Sequence, residues 1–525
     1  MATIVWILLN FPTDTRNCRQ GENRHCFSDT PAERNYRWQL MRMAILFVML
    51  LGMTSFSAAR ESPNILFAIA DDWGFPHAGA YGDPVVNTPA FDRLAREGVL
   101  FQHAYVSSPS CTPSRGAILT GRYHWQLEGA GNLWSIFPDR FRTYPEILQE
   151  AGYFTGMTGK GWGPGRTESK HRMLAGKRFQ NFQEFVTERP QGAPFCFWLG
   201  TNDPHRPFEK GSGTRSGIDL TKIKLPACFP DVLKVRADVA DYYVEVQRFD
   251  SLVQNALTIL EGLGELDNTI VVMTSDHGMP FPRCKSNIYD TGVRVPFVIR
   301  WPAGGIQGGN RFEAFVSLIE VAPTLLDAAG IERPNGWPGS SFLSDLTGKD
   351  FTRKREPGSR NQVIFGKERH VVAQEAPDMG GYPCRGIRTK DFLYIRNYRP
   401  ERWPNGTPHY EKATIPGAWF ADTDNGPTKS HMIFQKDIDE NHRKLFALSF
   451  AKRPHEELYE LSKDPDQLNN LADDPAYAET QLALARQLKK KLVATGDPRA
   501  SGAGDEFDHH PYLGGAPKHP QWKKN

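Results

Sequence analysis

The stretch Ser110-Cys111-Thr112-Pro113-Ser114-Arg115-Gly116-Ala117, followed by Leu119-Thr120-Gly121-Arg122, gives the first indication of how this chain folds and works. Pro113 favours the first turn of a helix, because proline lacks the amide hydrogen that interior helical positions need. Cys111 then lies near a helix N-terminus, where unpaired backbone N–H groups attract an anion. Arg115 adds a permanent positive charge one turn later. On these residues alone, an ordinary buried cysteine is an equally good interpretation.

The composition restricts the class of protein. The chain has 525 residues, of which 39% are hydrophobic and 23% charged, which is typical of a globular protein with two domains or one large and one smaller domain. The formal net charge of +3 gives no overall field that favours nucleic acid, although local basic clusters can still bind an anionic substrate. Seven cysteines are too few for a disulfide scaffold, and the sequence allows one bridge without indicating which.

The N-terminal residues have the pattern of a targeting segment. Residues 41–51 combine a basic start with a short apolar run, and Ser57-Ala58-Ala59 follows as a small-residue cleavage site. The pattern predicts a signal peptide at residues 41–59, and hence a secreted or periplasmic protein without a stable membrane span. Residues 1–40 are then a mis-called upstream extension, and Met41 or Met43 is the true start. The alternative is a genuine N-terminal arm; a mature chain that begins near Arg60 argues against it.

Two apolar runs end in acidic or imidazole side chains. Residues 64–70 predict a strand buried on both faces, followed directly by Asp71 and Asp72. Residues 269–274 form the most strand-like run, followed by Asp276 and His277. Open α/β sheets bind ligands at the carboxyl ends of their strands, so these side chains are expected to meet. Adjacent carboxylates tolerate each other around a cation, although a solvated turn is the alternative for the aspartate pair alone.

Two further predicted strand ends carry candidate anion-binding residues. Lys160 lies among glycines after the predicted strand 153–158, which suits close approach of backbone and ammonium to an anion. His205 follows the predicted strand 194–200 in a proline-rich loop. Taken alone, a surface lysine and a structural histidine are the more common interpretations.

The order of predicted elements indicates the fold class. Strands alternate with helices at residues 88–98, 144–152 and 236–261, and residues 292–299 predict a further strand. This order predicts an α/β fold with a mostly parallel sheet flanked by helices. Residues 385–395 and 457–461, with a helix at about 476–493, predict a smaller α+β part with an antiparallel sheet and one helix. We therefore divide the chain into a catalytic domain at 60–360, a C-terminal subdomain at 361–495 and a tail at 496–525, of which residues 500–525 are expected to be poorly ordered.

The motif Cys-x-Pro-Ser-Arg with the following Leu-Thr-Gly-Arg resembles the signature of the type I, formylglycine-dependent sulfatases. The resemblance covers roughly residues 62–495 and, at Pro280-Phe281-Pro282, is greatest for the heparan N-sulfatase (sulfamidase) branch. It implies an alkaline-phosphatase-like sheet and hydrolysis of sulfate esters or sulfamates on a sulfated glycan. It also implies that a formylglycine-generating enzyme converts Cys111 to Cα-formylglycine, whose hydrate is the nucleophile.

The same resemblance implies roles for individual residues. A Ca²⁺ ion is expected to bind the side chain at residue 111 together with Asp71, Asp72, Asp276 and His277. Three carboxylates and one imidazole suit Ca²⁺ better than Zn²⁺. The catalytic residues implied are Cys111, with Arg115 to stabilise its oxyanion, Lys160 and Lys285 to neutralise the sulfuryl oxygens, and His205 to contact the sulfate and protonate the leaving group.

The chain also departs from the family pattern. Trp162 stands where the family has a histidine that orients the formylglycine hydrate, so another base is needed, and His124 or another histidine is the candidate. Trp162 and Lys285 differ from what a strict N-sulfatase orthologue would carry, so an O-sulfated glycan is nearly as good a candidate substrate as N-sulfated glucosamine.

Two alternatives to a sulfatase remain at this stage. One is a formylglycine-dependent phosphodiesterase or phosphonate hydrolase, and the other is a non-catalytic glycan-binding protein in which Cys111 is not converted. Comparing turnover of an aryl sulfate with that of an aryl phosphodiester tests the first. Mass spectrometry of the peptide around residue 111 tests the second.

Overall fold

A computed structural model describes residues 62–347 and 360–523, together with residues 31, 32 and 35. The predicted signal peptide and nearly all of the predicted upstream extension lie outside these residues. The boundary predicted near residue 360 adjoins residues 348–359, which also lie outside them, so the division into two domains stays a prediction. Within the described ranges, no helix has both the length and the apolar character needed to cross a bilayer.

The strands, in chain order, are β1 (Asn64–Ala70), β2 (Val99–Tyr105), β3 (Ser135–Phe137), β4 (Phe154–Thr158), β5 (Gly165–Thr167), β6 (Lys177–Arg178), β7 (Phe195–Gly200), β8 (Thr269–Ser275), β9 (Phe297–Arg300), β10 (Asn310–Ser317), β11 (Gln362–Lys367), β12 (Cys384–Thr389), β13 (Phe392–Asn397) and β14 (Glu456–Glu460). The α-helices described between residues 62 and 523 are α1 (Pro89–Glu97), α2 (Cys111–Thr120), α3 (Tyr144–Glu150), α4 (Phe182–Glu188), α5 (Ser212–Arg215), α6 (Leu233–Gly262), α7 (Asp290–Val293), α8 (Val321–Ala328), α9 (Leu343–Thr347), α10 (Pro427–Phe434), α11 (Glu440–Phe450), α12 (Ala478–Ala494), α13 (Pro498–Ser501) and α14 (Glu506–His509).

The large sheet has eight strands in the order β10-β2-β9-β8-β1-β7-β4-β6. Strand β1 is parallel to both neighbours, with Ile65 opposite Cys196 on β7 and Ile270 on β8. Strand β9 is antiparallel to β8 and β2, and the other pairings are parallel. The predicted mostly parallel α/β sheet is therefore confirmed.

Alternate residues of β1 belong to two separate hydrophobic cores, as expected for a strand covered on both faces. Phe67 and its neighbours two positions away pack with residues of α2, α3 and α8 on one face. Leu66 and Ala68 pack with residues of α1 and α6 on the other. The apolar run 64–70 is therefore buried on both faces of the sheet, and the polar residues that follow it lie at the carboxyl end of β1.

One predicted strand is wrong over half its length. Residues 290–293 form the helix α7, and the strand β9 begins only at Phe297. Pro296 lies directly before it and has no amide hydrogen to donate to a neighbouring strand, so regular pairing starts after it. Before Pro296, Arg294 pairs with Tyr105 through an isolated antiparallel β-bridge.

The C-terminal part forms a second sheet, in the order β11-β12-β13-β14 with antiparallel pairs throughout. Leu484, Leu488 and Leu492 of α12 pack against it. This confirms the predicted antiparallel sheet with a helix. The expectation of poor order is wrong for residues 500–523, because buried Arg369 donates hydrogen bonds to the carbonyl oxygens of Asp508, His510 and Pro511.

Candidate active site

The predicted site residues follow neighbouring strands of the large sheet. Because β8, β1, β7 and β4 are adjacent and parallel, their carboxyl ends lie at the same edge. Helix α2 begins at Cys111 beside this edge. The residues that the strands deliver there are Asp71 and Asp72 from β1, Lys160 from β4, His205 from β7, and Asp276 and His277 from β8.

Four candidate ligand atoms, from Asp71, Asp72, Cys111 and His277, lie within 4.8 Å of one another, and all four side chains are buried. Cys111 Sγ lies 3.6 Å from Asp71 Oδ1 and 3.3 Å from His277 Nε2. His277 Nε2 is in turn 3.2 Å from Asp72 Oδ1. These side chains therefore lie close together in the structure, as the sequence predicts.

The polar atoms of this cluster could hold a cation. His277 Nδ1 lies 3.0 Å from the carbonyl oxygen of Gly278, to which it can donate, and Nε2 faces the cluster. Asp72 Oδ1 is buried, and no group in the described ranges donates a hydrogen bond to it. Carboxylates this close together repel unless positive charge lies near them, which Lys160 and Lys285 supply here and which a bound cation would add to. Oxygen-rich ligands of this kind suit Ca²⁺.

Asp276 lies beside the cluster. Its Oδ1 accepts a hydrogen bond from Asp72 N at 3.0 Å and lies 3.8 Å from His277 Nε2. This bond holds the backbone of Asp72, which has φ of 79° in the left-handed region that costs an ordinary residue roughly 1–2 kcal/mol. Whether Asp276 is itself a metal ligand stays a prediction.

Arg115 is fully buried and joins three strand ends. Its Nε donates to Asp276 Oδ2 at 2.7 Å, and its terminal nitrogens donate to the carbonyl oxygens of Ala70, Lys160 and Gly161. One terminal nitrogen also lies 3.6 Å from Asp71 Oδ1. The guanidinium therefore fixes the relative positions of β1, β4 and β8 and adds positive charge beneath the acidic cluster.

Two lysines pair with the aspartates. Lys160 Nζ lies 2.7 Å from both carboxylate oxygens of Asp71. Lys285 Nζ lies 2.9 Å from Asp72 Oδ2 and 2.9 Å from Asp424 Oδ2. Burial alone would raise the pKa of Asp71, but the charge of Lys160, helped by His205 and Arg115, holds that pKa well below its ordinary value. Burial opposes charge on Lys285, yet Asp424 and Asp72 raise its pKa well above the ordinary value.

The thiol of Cys111 is poorly suited to act as a nucleophile. Burial raises its pKa far above the ordinary value, and the charges of Lys160 and Lys285 offset only part of this effect. A protonated thiol is a weak nucleophile. Cys196, Cys228, Cys284 and Cys384 are also buried and unpaired, so the bridge that the sequence allowed is absent among the described cysteines.

A cavity of about 1050 Å³ opens above Cys111. Asp71, Lys160 and His205 line it together with the aromatic side chain of Trp162. Residues after position 360 also line it, namely His370, Val371, Ala421, Asp424, Gly515 and Pro517. This volume is large enough for a sugar ring with its charged substituents.

Sequence reasoning missed two of the residues that line this cavity. His370 lies three residues beyond β11, with Nδ1 2.8 Å from Oγ of Ser110, the neighbour of Cys111. Asp424 is the second carboxylate that pairs with Lys285. The only available signal was the charged run 367–370 directly after a strand, which looks like a solvated surface in sequence.

The structure does not support His124 as the missing base. This histidine is buried, with Nδ1 2.9 Å from Ser107 Oγ, and it does not line the cavity above Cys111. Trp162 does line that cavity, and its indole packs edge-on against Phe137.

The comparisons with known proteins all indicate the same family. The family model described as Sulfatase matches residues 63–171 and 162–331, and the model described as N-sulphoglucosamine sulphohydrolase, C-terminal, matches residues 283–404. The chain is 30% identical to human N-sulphoglucosamine sulphohydrolase over 475 residues, covering 83% of this chain and 91% of that protein.

The chain belongs to the sulfatase family. The expected sulfuric ester hydrolase, and its likeness to the N-sulfatase branch, are thereby confirmed. An ulvan-active sulfatase of Formosa agariphila is 26% identical over 499 residues, which cover 83% of this chain and 76% of that protein.

Solved structures agree on the fold. One, in complex with its substrate D-glucosamine-2-N,6-O-disulfate, has a TM-score of 0.57 and 21% identity, with 83% of this chain and 98% of that chain covered. The phosphonate monoester hydrolase of Agrobacterium radiobacter has a TM-score of 0.59 and 18% identity, and the match covers 82% of this chain and 96% of that chain. The sulfatase family match does not favour the phosphodiesterase or binding-protein alternatives.

Proposed function

We propose that this sulfatase removes the N-linked sulfate from glucosamine units of a sulfated glycan, with formylglycine at residue 111 and a bound Ca²⁺. The observation that carries the proposal is the buried cluster of Asp71, Asp72 and His277 around Cys111, two of whose members, Asp71 and Cys111, line the cavity. The choice of an N-sulfated amino sugar over an O-sulfated one rests on the similarity to N-sulphoglucosamine sulphohydrolase along both the sulfatase and C-terminal regions.

The proposed cation would be held by Asp71, Asp72 and His277, with Asp276 beside them. When bound, Ca²⁺ supplies positive charge that stabilises an oxyanion, and formylglycine supplies the nucleophilic oxygen that the protonated Cys111 thiol lacks. Arg115, hydrogen-bonded to Asp276 and close to Asp71, keeps these carboxylates in one arrangement while the charge of the site changes.

The lysines and His205 would bind the sulfuryl group. Lys160 and Lys285 both line the cavity and pair with Asp71 and Asp72, so a sulfate entering there meets two ammonium groups. His205 Nδ1 faces the carbonyl oxygen of Arg206, which leaves Nε2 as the ring nitrogen available to the cavity. A proton on Nε2 can pass to the departing nitrogen, which would otherwise leave as an unstable anion.

Maturation and export are part of the proposal. The signal peptide proposed at residues 41–59 would direct the chain out of the cytoplasm, and a formylglycine-generating enzyme would oxidise Cys111 before the chain folds. After folding, Cys111 is 2% exposed, so this modification must precede burial of the residue.

The test uses protein co-produced with a formylglycine-generating enzyme and supplied with Ca²⁺. Mass spectrometry of the peptide around residue 111 is expected to show the aldehyde. Sulfate release is then measured from N-sulfoglucosamine, glucosamine 6-sulfate and an aryl phosphodiester, with the N-sulfate expected to react fastest. Preferential release from the 6-sulfate would retain the sulfatase but reject the N-sulfate, and faster cleavage of the phosphodiester would reject the proposal.

A further inference from the structure

His370 is a buried histidine beside the proposed nucleophile, and the chemistry described so far gives it no role. Its Nδ1 lies 2.8 Å from the hydroxyl oxygen of Ser110, directly before Cys111. Its ring lines the cavity although the residue is only 4% exposed. It comes from the segment that follows β11, whereas Cys111 and the acidic cluster come from the large sheet and α2.

The surroundings of His370 keep its imidazole neutral. Burial is the largest effect and lowers the pKa of His370 well below its ordinary value. Lys285, Lys367 and His277 lower it further, and Asp424 opposes them only in part. A neutral imidazole has one nitrogen with a lone pair, and which nitrogen carries it depends on the hydrogen bond made by the other.

Ser110 can set that choice. When Nδ1 donates its hydrogen to Ser110 Oγ, the lone pair is on Nε2, the nitrogen on the far side of the ring from Ser110. Because Lys367, three residues earlier, is buried and bonded to Asp422 and Ser286, the chain leading to His370 is firmly held. The imidazole therefore has a fixed position next to the residue that precedes the nucleophile.

We propose that His370 Nε2 is the proton acceptor for the oxygen on residue 111, in place of the histidine that Trp162 replaces. The assignment rests on the proposed function, because it needs formylglycine at residue 111. The step is the release of sulfate from that residue. Nε2 takes the hydrogen of the remaining hydroxyl, the O–H electron pair forms the carbonyl bond, and the C–O bond to sulfate breaks with its pair leaving on the sulfate.

The test uses the converted, calcium-loaded enzyme with His370→Asn. The asparagine amide nitrogen can still donate to Ser110, but the side chain has no counterpart of Nε2. Turnover is expected to fall about 10²-fold or more. Because the lost step follows sulfate transfer, the quenched peptide around residue 111 is expected by mass spectrometry to be one SO₃ group heavier than the peptide with the hydrated aldehyde. A His370→Gln variant is examined in parallel, so that loss of folding in either one is recognised by its unfolding midpoint.

His124→Asn is the matched control. His124 is also buried and paired through Nδ1 with a serine, at 2.9 Å, but it lies outside the cavity. It is expected to retain turnover and to trap no sulfate. Wild-type turnover in a folded His370→Asn, or lost turnover without trapped sulfate, would overturn the role of His370 alone. Absence of sulfate release by the wild-type enzyme would overturn the proposed function and this role with it.

Discussion

Lys285 has two acidic partners from distant parts of the chain. Asp72 follows β1 and Asp424 lies in the C-terminal half, yet both place a carboxylate oxygen 2.9 Å from the same ammonium. The lysine side chain is only 3% exposed. Two carboxylates this close in the interior depend on the positive charge between them.

Lys285→Met is therefore expected to be costly to stability as well as to activity. Removing one partner of a buried ion pair leaves an uncompensated charge, which lowers the free energy of unfolding by about 3–5 kcal/mol. Urea denaturation of the metal-free protein measures the loss. The control is Lys463→Met, since Lys463 is 70% exposed in its pair with Glu460 and its loss is expected to change the free energy of unfolding little. Equal losses in the two variants would contradict the argument.

Cys111→Ala tests the nucleophile without disturbing the fold. Residue 111 borders the open cavity, so removing its side-chain atom leaves no closed void and the unfolding midpoint is expected to change little. Turnover is expected to vanish, because alanine cannot be converted to formylglycine. Full activity in this variant would show that another residue is the nucleophile.

At the level of elements, the long helix α6 supports the segment that follows β1. Tyr242 of α6 accepts a hydrogen bond from Gly74 N at 2.9 Å, and its hydroxyl lies 3.3 Å from His77 Nδ1. The indole of Trp73 donates to the carbonyl oxygen of His77. These bonds hold the residues after Asp71 and Asp72 against the helix, so α6 indirectly positions the proposed cation site.

His77 makes this region sensitive to acid. Burial lowers the pKa of His77 from 6.5 to about 4, with Asp83 opposing part of the shift. In the unfolded chain the ring binds its proton near pH 6.5, so between pH 6.5 and 4 the unfolded state binds more protons and the folded state loses stability as the pH falls.

The expected loss from His77 between pH 7 and 5 is about 2 kcal/mol of unfolding free energy. Urea denaturation of wild type and His77→Gln at both pH values measures it. The variant is expected to be less sensitive to pH than the wild type. The same pH dependence in both proteins would show that His77 is not the group responsible.

The elements also show what sequence could and could not predict. The apolar runs 64–70 and 269–274 identified β1 and β8. The carboxylates that follow these runs could be found as well, because an apolar run followed by acidic residues is a local signal. His370 could not be found this way, since its partner Ser110 is 260 residues away. The tail was misjudged because its order comes from hydrogen bonds of its main-chain carbonyls to Arg369, which leave no trace in composition.

For the molecule as a whole, a bound cation is expected to stabilise the folded state. The unfolded chain has no preformed cluster of Asp71, Asp72 and His277, so Ca²⁺ at 100 times its dissociation constant would add about 2.7 kcal/mol. Calorimetry with and without a chelator measures the effect on the unfolding midpoint. Asp72→Asn is expected to remove most of the response.

A matched variant tests whether that response is specific. Asp267 lies at the opposite end of β8, with its side chain 77% exposed in a pair with Arg300. Asp267→Asn is expected to leave the response to calcium intact. A wild-type midpoint unaffected by the chelator, or an equal loss of response in both variants, would argue against the cation site.

Residues before and after position 360 both line the cavity, and this division affects how the substrate preference of such an enzyme can change. The proposed nucleophile, its cation and the two lysines come from residues before that position, whereas Ala421, Asp424, Gly515 and Pro517 come from residues after it. Recombination that exchanges only the later loops, with His370 and Asp424 retained, would present a new surface to the glycan while leaving the hydrolytic groups in place. A directed-evolution library confined to those later loops is accordingly the economical route to altered sugar preference.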